Sequence, residues 1–272
     1  MKIKGIKKIG SYALSVAFWL FLWHLASVLI GRELFLPSPV KVIKVLFSEL
    51  IYQKSFWTSI TASLIHIGEG FLLGTALGML LAIFSYCFKA ARVLLWFPMK
   101  VIKSVPVASF VILSLLWLRS ENLSVFIPFL MVLPTLYVNT MTGLEKTDKK
   151  LLEMAALFKL SHLKKGLHIY LPHILPYILS ACSLAIGMAW KSGIAAEIIG
   201  LARNSIGNQL YQAKLYLMTP ELFAWTIVIV ILSILCEQLI HGLARLFINF
   251  SSTNSESSEK QAQTQKHRRK LK

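Results

Sequence analysis

Long apolar runs at residues 12–30, 68–86, 123–138, 174–198 and 222–240 constrain this chain more than any other feature. A backbone in hydrocarbon has to satisfy its own N–H and C=O groups, which leaves helices or closed barrels, and runs of this length favour helices. A spanning helix needs roughly 17 to 25 apolar residues. Four of the runs meet that length, and 123–138 is marginal. A sixth segment, 94–118, is interrupted by Pro98, Lys100, Lys103 and Pro106, and its unbroken part, 105–118, is shorter than a span. The whole chain of 272 residues is 56% hydrophobic, above the roughly 45–50% of soluble domains. The expectation is an all-α membrane protein with six transmembrane helices.

Charge sets the orientation. With six spans and the N-terminus inside, the inner segments hold most of the 29 basic residues, among them Lys2 to Lys8, Lys89, Arg92, Lys100, Lys103, Lys146 to Lys165 and the C-terminal cluster. The positive-inside rule then places both termini in the cytoplasm. This divides the chain into a basic N-terminus (1–11), a transmembrane domain (12–250) and a tail (251–272) without apolar periodicity, read as disordered. The first run is long for a signal peptide and no A-x-A-like site follows it, so it reads as a retained helix. The net charge of +17 is spread over loops flanking the apolar runs, which points to anionic lipid headgroups rather than nucleic acid.

One polar segment keeps a definite spacing. In EMAALFKLSHLKKGLHIYLP, Glu153 is followed by Ala155 and Ala156, then by Ile169, Leu171 and Pro172. This resembles the EAA loop of ABC importer permeases, with Met154 in place of an Ala and Lys159 in place of the Gly that occupies the turn between two short helices. The resemblance implies the type I importer permease fold and a cytoplasmic coupling loop at 143–173 that docks on an ATPase subunit. Small Ala155 and Ala156 suit close approach, Leu157, Phe158 and Leu160 an apolar anchor, and Lys159, Lys164 and Lys165 acidic surroundings. Read without the resemblance, the same segment is a basic amphipathic loop on the membrane surface.

Further segments are similar to permeases of the nitrate, sulfonate and taurine subfamily. They are Leu36-Pro37-Ser38-Pro39, the stretch from Ser63 to Gly74, Ala189-Trp190 and Ala195-Ala196-Glu197. The resemblance implies a permease in the cell membrane, working as a homodimer with ATPase subunits and an external substrate-binding protein. ATP then sits on the partner subunits, and the chain itself binds no cofactor. Solutes carried by such permeases include taurine and other alkanesulfonates, nitrate and pyrimidine precursors of thiamine.

Individual residues carry their own expectations. Gly70, Gly74 and Gly78 recur every four residues, so they line one helix face and allow close helix contact in lipid. Charges in apolar segments need partners, cavity water or headgroups; these are Glu69, Lys191, Glu197 and Glu237. Lys191, with Trp190 and Glu197, is a candidate for the translocation pathway, and an ion pair of Lys191 with Glu69 is the structural alternative. His162, His168 and His173 lack metal-helix spacing, and Cys87, Cys182 and Cys236 read as small buried hydrophobes. Signatures of ATP hydrolysis, zinc proteolysis and serine hydrolysis are missing from the sequence. A carrier driven by an ion gradient is the alternative, although the Pro-interrupted segments have no matching pair in the other half.

Overall fold

The computed structural model describes residues 2–243, and among them all regular structure is helical. In chain order the helices are α1 (Lys2–Ile30), α2 (Pro39–Val45), α3 (Lys54–Cys87), α4 (Lys89–Ser104), α5 (Val107–Ser114), α6 (Ser120–Glu145), α7 (Lys149–Leu157), α8 (His162–Lys165), α9 (Leu171–Gly200), α10 (Ile206–Leu215) and α11 (Thr219–Leu243). A π-helical turn, Gly166–Tyr170, joins α8 to α9, so that Leu163–Gly200 is one continuous helical rod. The tail expected at 251–272 lies outside the described residues.

Among the described residues, four helices are long and apolar enough to cross a membrane: α3, α6, the α8–α9 rod and α11. The expected third span is different. It forms α4 and α5, which meet at an angle of 104°. Helix α4 ends at Ser104, Val105 is extended at ψ 133°, and Pro106 caps α5. The cause is local: the residue before a proline is pushed out of the helical region. Counted as one broken span, the pair brings the total to five. The apolar part of α1, Leu14–Ile30, is shorter than these four, of which the shortest has 25 residues.

Helix α3 packs most extensively on α6, and α6 next on α9. Glycine makes the first contact possible. A Cβ on Gly70 would lie 2.3 Å from the Val125 carbonyl oxygen; on Gly74, 2.8 Å from that of Phe129; on Gly78, 2.7 Å from that of Leu133. Three successive turns of α3 therefore touch the backbone of α6, the close approach that small residues allow in lipid. Gly193 on α9 leaves room instead for the side chains of Ile67 on α3 and Pro128 on α6, so the three helices meet there. The outer helix α1 keeps Leu14, Phe18, Trp19, Phe21 and Leu29 exposed, as a helix facing lipid should. It is tied inward by Trp23, which stacks on Phe223 of α11 at 5.6 Å and donates its indole N–H to the Pro37 carbonyl.

Between α1 and α3, Leu36-Pro37-Ser38-Pro39 stops one helix and starts another. The Ser38 hydroxyl accepts from the Lys41 N–H at the start of α2, and Pro39 occupies the first turn, where its missing N–H costs nothing.

Candidate functional site: the interhelical loop and the buried charges

The segment between α6 and α9 is held at both ends. Asp148 caps α7 by accepting from the Lys150 N–H at 2.9 Å, which satisfies one of the free donors of the first turn. His173 Nε2 lies 3.0 Å from the Lys146 carbonyl, and the Lys146 ammonium sits 5.7 Å from the centre of the Tyr177 ring. Tyr170 meets Tyr86 at the end of α3, their hydroxyls 3.4 Å apart. The ends of the loop are thus tied to α3, α6 and α9 together.

Helix α7 is two-sided. Ala155 is buried at 1% exposure, whereas Leu157 is 83% and Phe158 74% exposed. Glu153, Ala156 and Lys159 are also on the exposed side, and Leu163 continues it beyond the turn. Ile169 is half-buried in the π-helical turn, while Leu171 and Pro172 are exposed in the first turn of α9. Ala155 faces the protein with Leu152 half-buried, while Leu157 and Phe158 face outward.

Lys159 adopts the turn that favours glycine. Its φ is +50°. Its N–H donates to the Ala156 carbonyl and the Leu160 N–H to the Ala155 carbonyl, both at 3.0 Å. These two bonds form the Schellman arrangement that closes a helix C-terminus. A side chain in this conformation costs roughly 1–2 kcal/mol, so the turn survives the loss of glycine at a penalty.

The charged residues separate into different environments. Glu197 is fully buried. Its Oε2 accepts from the Ser63 hydroxyl at 2.9 Å and from the Gly207 N–H at 3.0 Å. The Ser63 oxygen in turn accepts from the Ile206 N–H at 3.0 Å. One carboxyl group thus joins α3, the end of α9 and the first turn of α10. The turn it fixes contains Leu201 and Asn204, both with positive φ. Nothing local in the sequence pairs Ser63 with Glu197, which are 134 positions apart.

Trp190 is also buried, its indole N–H donating to the Ile229 carbonyl of α11 at 3.0 Å. Of the three candidate pathway residues, Lys191 alone is exposed on the protomer. Neither Lys191 nor Glu69 forms an ion pair among the described residues. Glu237 is exposed and 3.9 Å from His241. The cysteines correct the expectation of burial: Cys87 is exposed at the end of α3, and Cys182 and Cys236 are half-buried. No cluster that could hold a metal occurs among the described residues.

The profile of the family described as "Binding-protein-dependent transport system inner membrane component" matches residues 74–249. The chain belongs to that family. A Bacillus subtilis (strain 168) protein named as a permease for aliphatic sulfonates, SsuC, is 26% identical over 219 residues, covering 80% of this chain and 79% of its own. The nitrate import permease NrtB of Synechococcus elongatus is 25% identical over 223 residues, covering 78% and 79%. Among solved structures, a bacterial ABC transporter for alginate, in complex with its pentasaccharide-bound periplasmic protein, superposes with TM-score 0.59 at 18% identity over 90% of this chain and 96% of its own. The fold is that of ABC transporter permeases. This protein is therefore an inner-membrane permease component of a binding-protein-dependent transport system, a transport subunit rather than an enzyme. These relatives give no support to a carrier working on an ion gradient.

Proposed function

We propose that this permease forms the membrane pathway of an ABC importer for a small anionic solute of the sulfonate or nitrate type, with thiamine-precursor pyrimidines as the other solute class within the resemblance. It works as a homodimer. Two ATPase subunits bind at the α7 loops and carry the ATP, and an external binding protein delivers the solute. The observation that carries this reading is the two-sidedness of α7, with Ala155 against the protein and Leu157 and Phe158 outward. A helix built only to lie on its own bundle would turn its large apolar side chains inward.

The mechanism follows from the attachments of the loop. Closure of the ATPases draws the two α7 helices together. Because the loop is bonded to α3, α6 and α9, the displacement passes into the glycine-packed core, whose helices move as one body and open the pathway outward. Hydrolysis releases the ATPases and resets the helices.

The test is uptake in whole cells. Glu153→Lys and Phe158→Asp, both on the exposed side of the loop, abolish ATP-dependent uptake while leaving the protein inserted in the membrane. Uptake at the wild-type level in both variants contradicts the coupling role.

A further inference from the structure

The bundle contains a cavity that nothing above uses. It lies between α4 and α6, has a volume of about 560 Å³, and is lined by Arg92, Trp96, Lys100 and Lys103 of α4 and by Val138 and Thr142 of α6 among others. Glu145 is the only carboxylate in its lining, and it is paired with Arg92. Lys100 and Lys103 have no carboxylate partner among the described residues. The wall therefore carries two uncompensated positive charges beside an apolar surface, with the Lys100 ammonium 6.0 Å from the centre of the Trp96 ring.

We propose that this cavity is an anion site on the transport pathway, taking an oxyanion head on Lys100 and Lys103 and a short apolar stem against Trp96 and Val138. The proposal rests on the permease reading and adds to it a place and a ligand chemistry. Ammonium groups donate charge-assisted hydrogen bonds to oxyanions, and a concave site with an apolar wall and a few convergent polar groups is the usual form of a small-molecule site. An alkanesulfonate has both parts; nitrate has the head alone.

The same chemistry is found in an anionic phospholipid headgroup, and the position of the cavity favours a solute. Val138 and Thr142 share a face of α6 with Thr135 and Asn139, which are spaced three and four residues along the helix. Thr135, Asn139 and Thr142 are each partly accessible. Polar residues on an accessible face within a span fit a watered pathway better than acyl chains. The Arg92–Glu145 pair also ties the cavity to the last residue of α6, three positions before the cap of α7, so movement of the loop acts directly on the wall that holds the anion.

The experiment uses the purified full-length chain in phosphatidylcholine nanodiscs, without ATP, and measures binding of radiolabelled butanesulfonate. The expected result is saturable binding, weakened about tenfold by Lys100→Gln or Lys103→Gln and further by the double variant. Lys89→Gln, exposed and outside the cavity lining, should match wild type. The proposal is overturned by wild-type chain that binds no butanesulfonate, by a double variant that binds it as tightly, or by equal binding of the uncharged butyl methyl sulfone. It is overturned equally if discs doped with phosphatidylglycerol retain that lipid on the wild type, lose it in the double variant, and resist its displacement by butanesulfonate. Failure of the coupling reading looks different: Glu153→Lys would then keep wild-type uptake, whatever the binding data say of the cavity.

Discussion

Gly70 and Gly68 lie two residues apart on α3 and offer a paired test of how the core is held. A Cβ at Gly70 would sit 2.3 Å from the Val125 carbonyl oxygen and 3.0 Å from the Pro128 Cβ. The oxygen belongs to the backbone of α6 and cannot rotate away. At Gly68 an added Cβ meets nothing within 4 Å. To accept alanine at position 70, α6 has to retreat by about 1 Å locally, and a gap of that size forfeits roughly a quarter to a half of each dispersion contact along the seam. Overpacking of this kind costs about 1–3 kcal/mol. Exchanging glycine for alanine inside a helix returns about 0.5–1 kcal/mol at both positions, so the difference between the variants isolates the packing cost. Gly70→Ala should be less stable than Gly68→Ala by about 2 kcal/mol. The assay is reversible unfolding of the purified chain in mixed micelles by titration with sodium dodecyl sulfate. Equal stability of the two variants would refute the claim that backbone contact through these glycines holds α3 to α6.

Other consequences can be checked with the same protein. Lys159→Gly relieves the left-handed strain and should raise stability by about 0.5–1 kcal/mol, the 1–2 kcal/mol of relief being partly offset by the freer unfolded chain, with uptake retained. Destabilisation by Lys159→Gly would mean that the lysine side chain makes a contact worth more than the strain. Glu197→Ala removes the acceptor shared by Ser63 and Gly207 and should cost about 2–4 kcal/mol, while amide exchange at Ile206 and Gly207 rises well above that at the centre of α9. Unchanged exchange at those two amides would show that the turn is held by something other than the carboxylate.

Much of this architecture was legible in the apolar runs, because a segment in hydrocarbon has few alternatives to a helix. The runs at 68–86, 123–138, 174–198 and 222–240 lie inside α3, α6, α9 and α11. Segment 94–118 was not legible as a bend: Lys100, Lys103 and Pro106 announced an interruption, but a proline alone does not say whether the chain continues across or turns by 104°. The glycine spacing pointed to close packing without naming the partner helix, since the facing carbonyls of Val125, Phe129 and Leu133 belong to a backbone whose position no sequence pattern encodes. Glu197 and Trp190 looked like pathway residues because a polar group in a span demands a partner; their partners proved to be Ser63, Gly207 and the Ile229 carbonyl, all distant in sequence or supplied by backbone. The residue types of the loop do not say which side of α7 faces outward; that emerges only from the exposure of Leu157 and Phe158. The conformation of Lys159, against its own preference, was beyond any propensity argument.

In the proposed mechanism an ATPase takes hold of this permease at α7. The most direct measurement is to solubilise the membrane of its native cell in mild detergent, pull down the chain, and identify what accompanies it. The expected result is an ATPase subunit in equal amount with the permease, lost from the Phe158→Asp protein. A permease that comes down alone, or an ATPase that stays bound when the exposed face of α7 is charged, contradicts it.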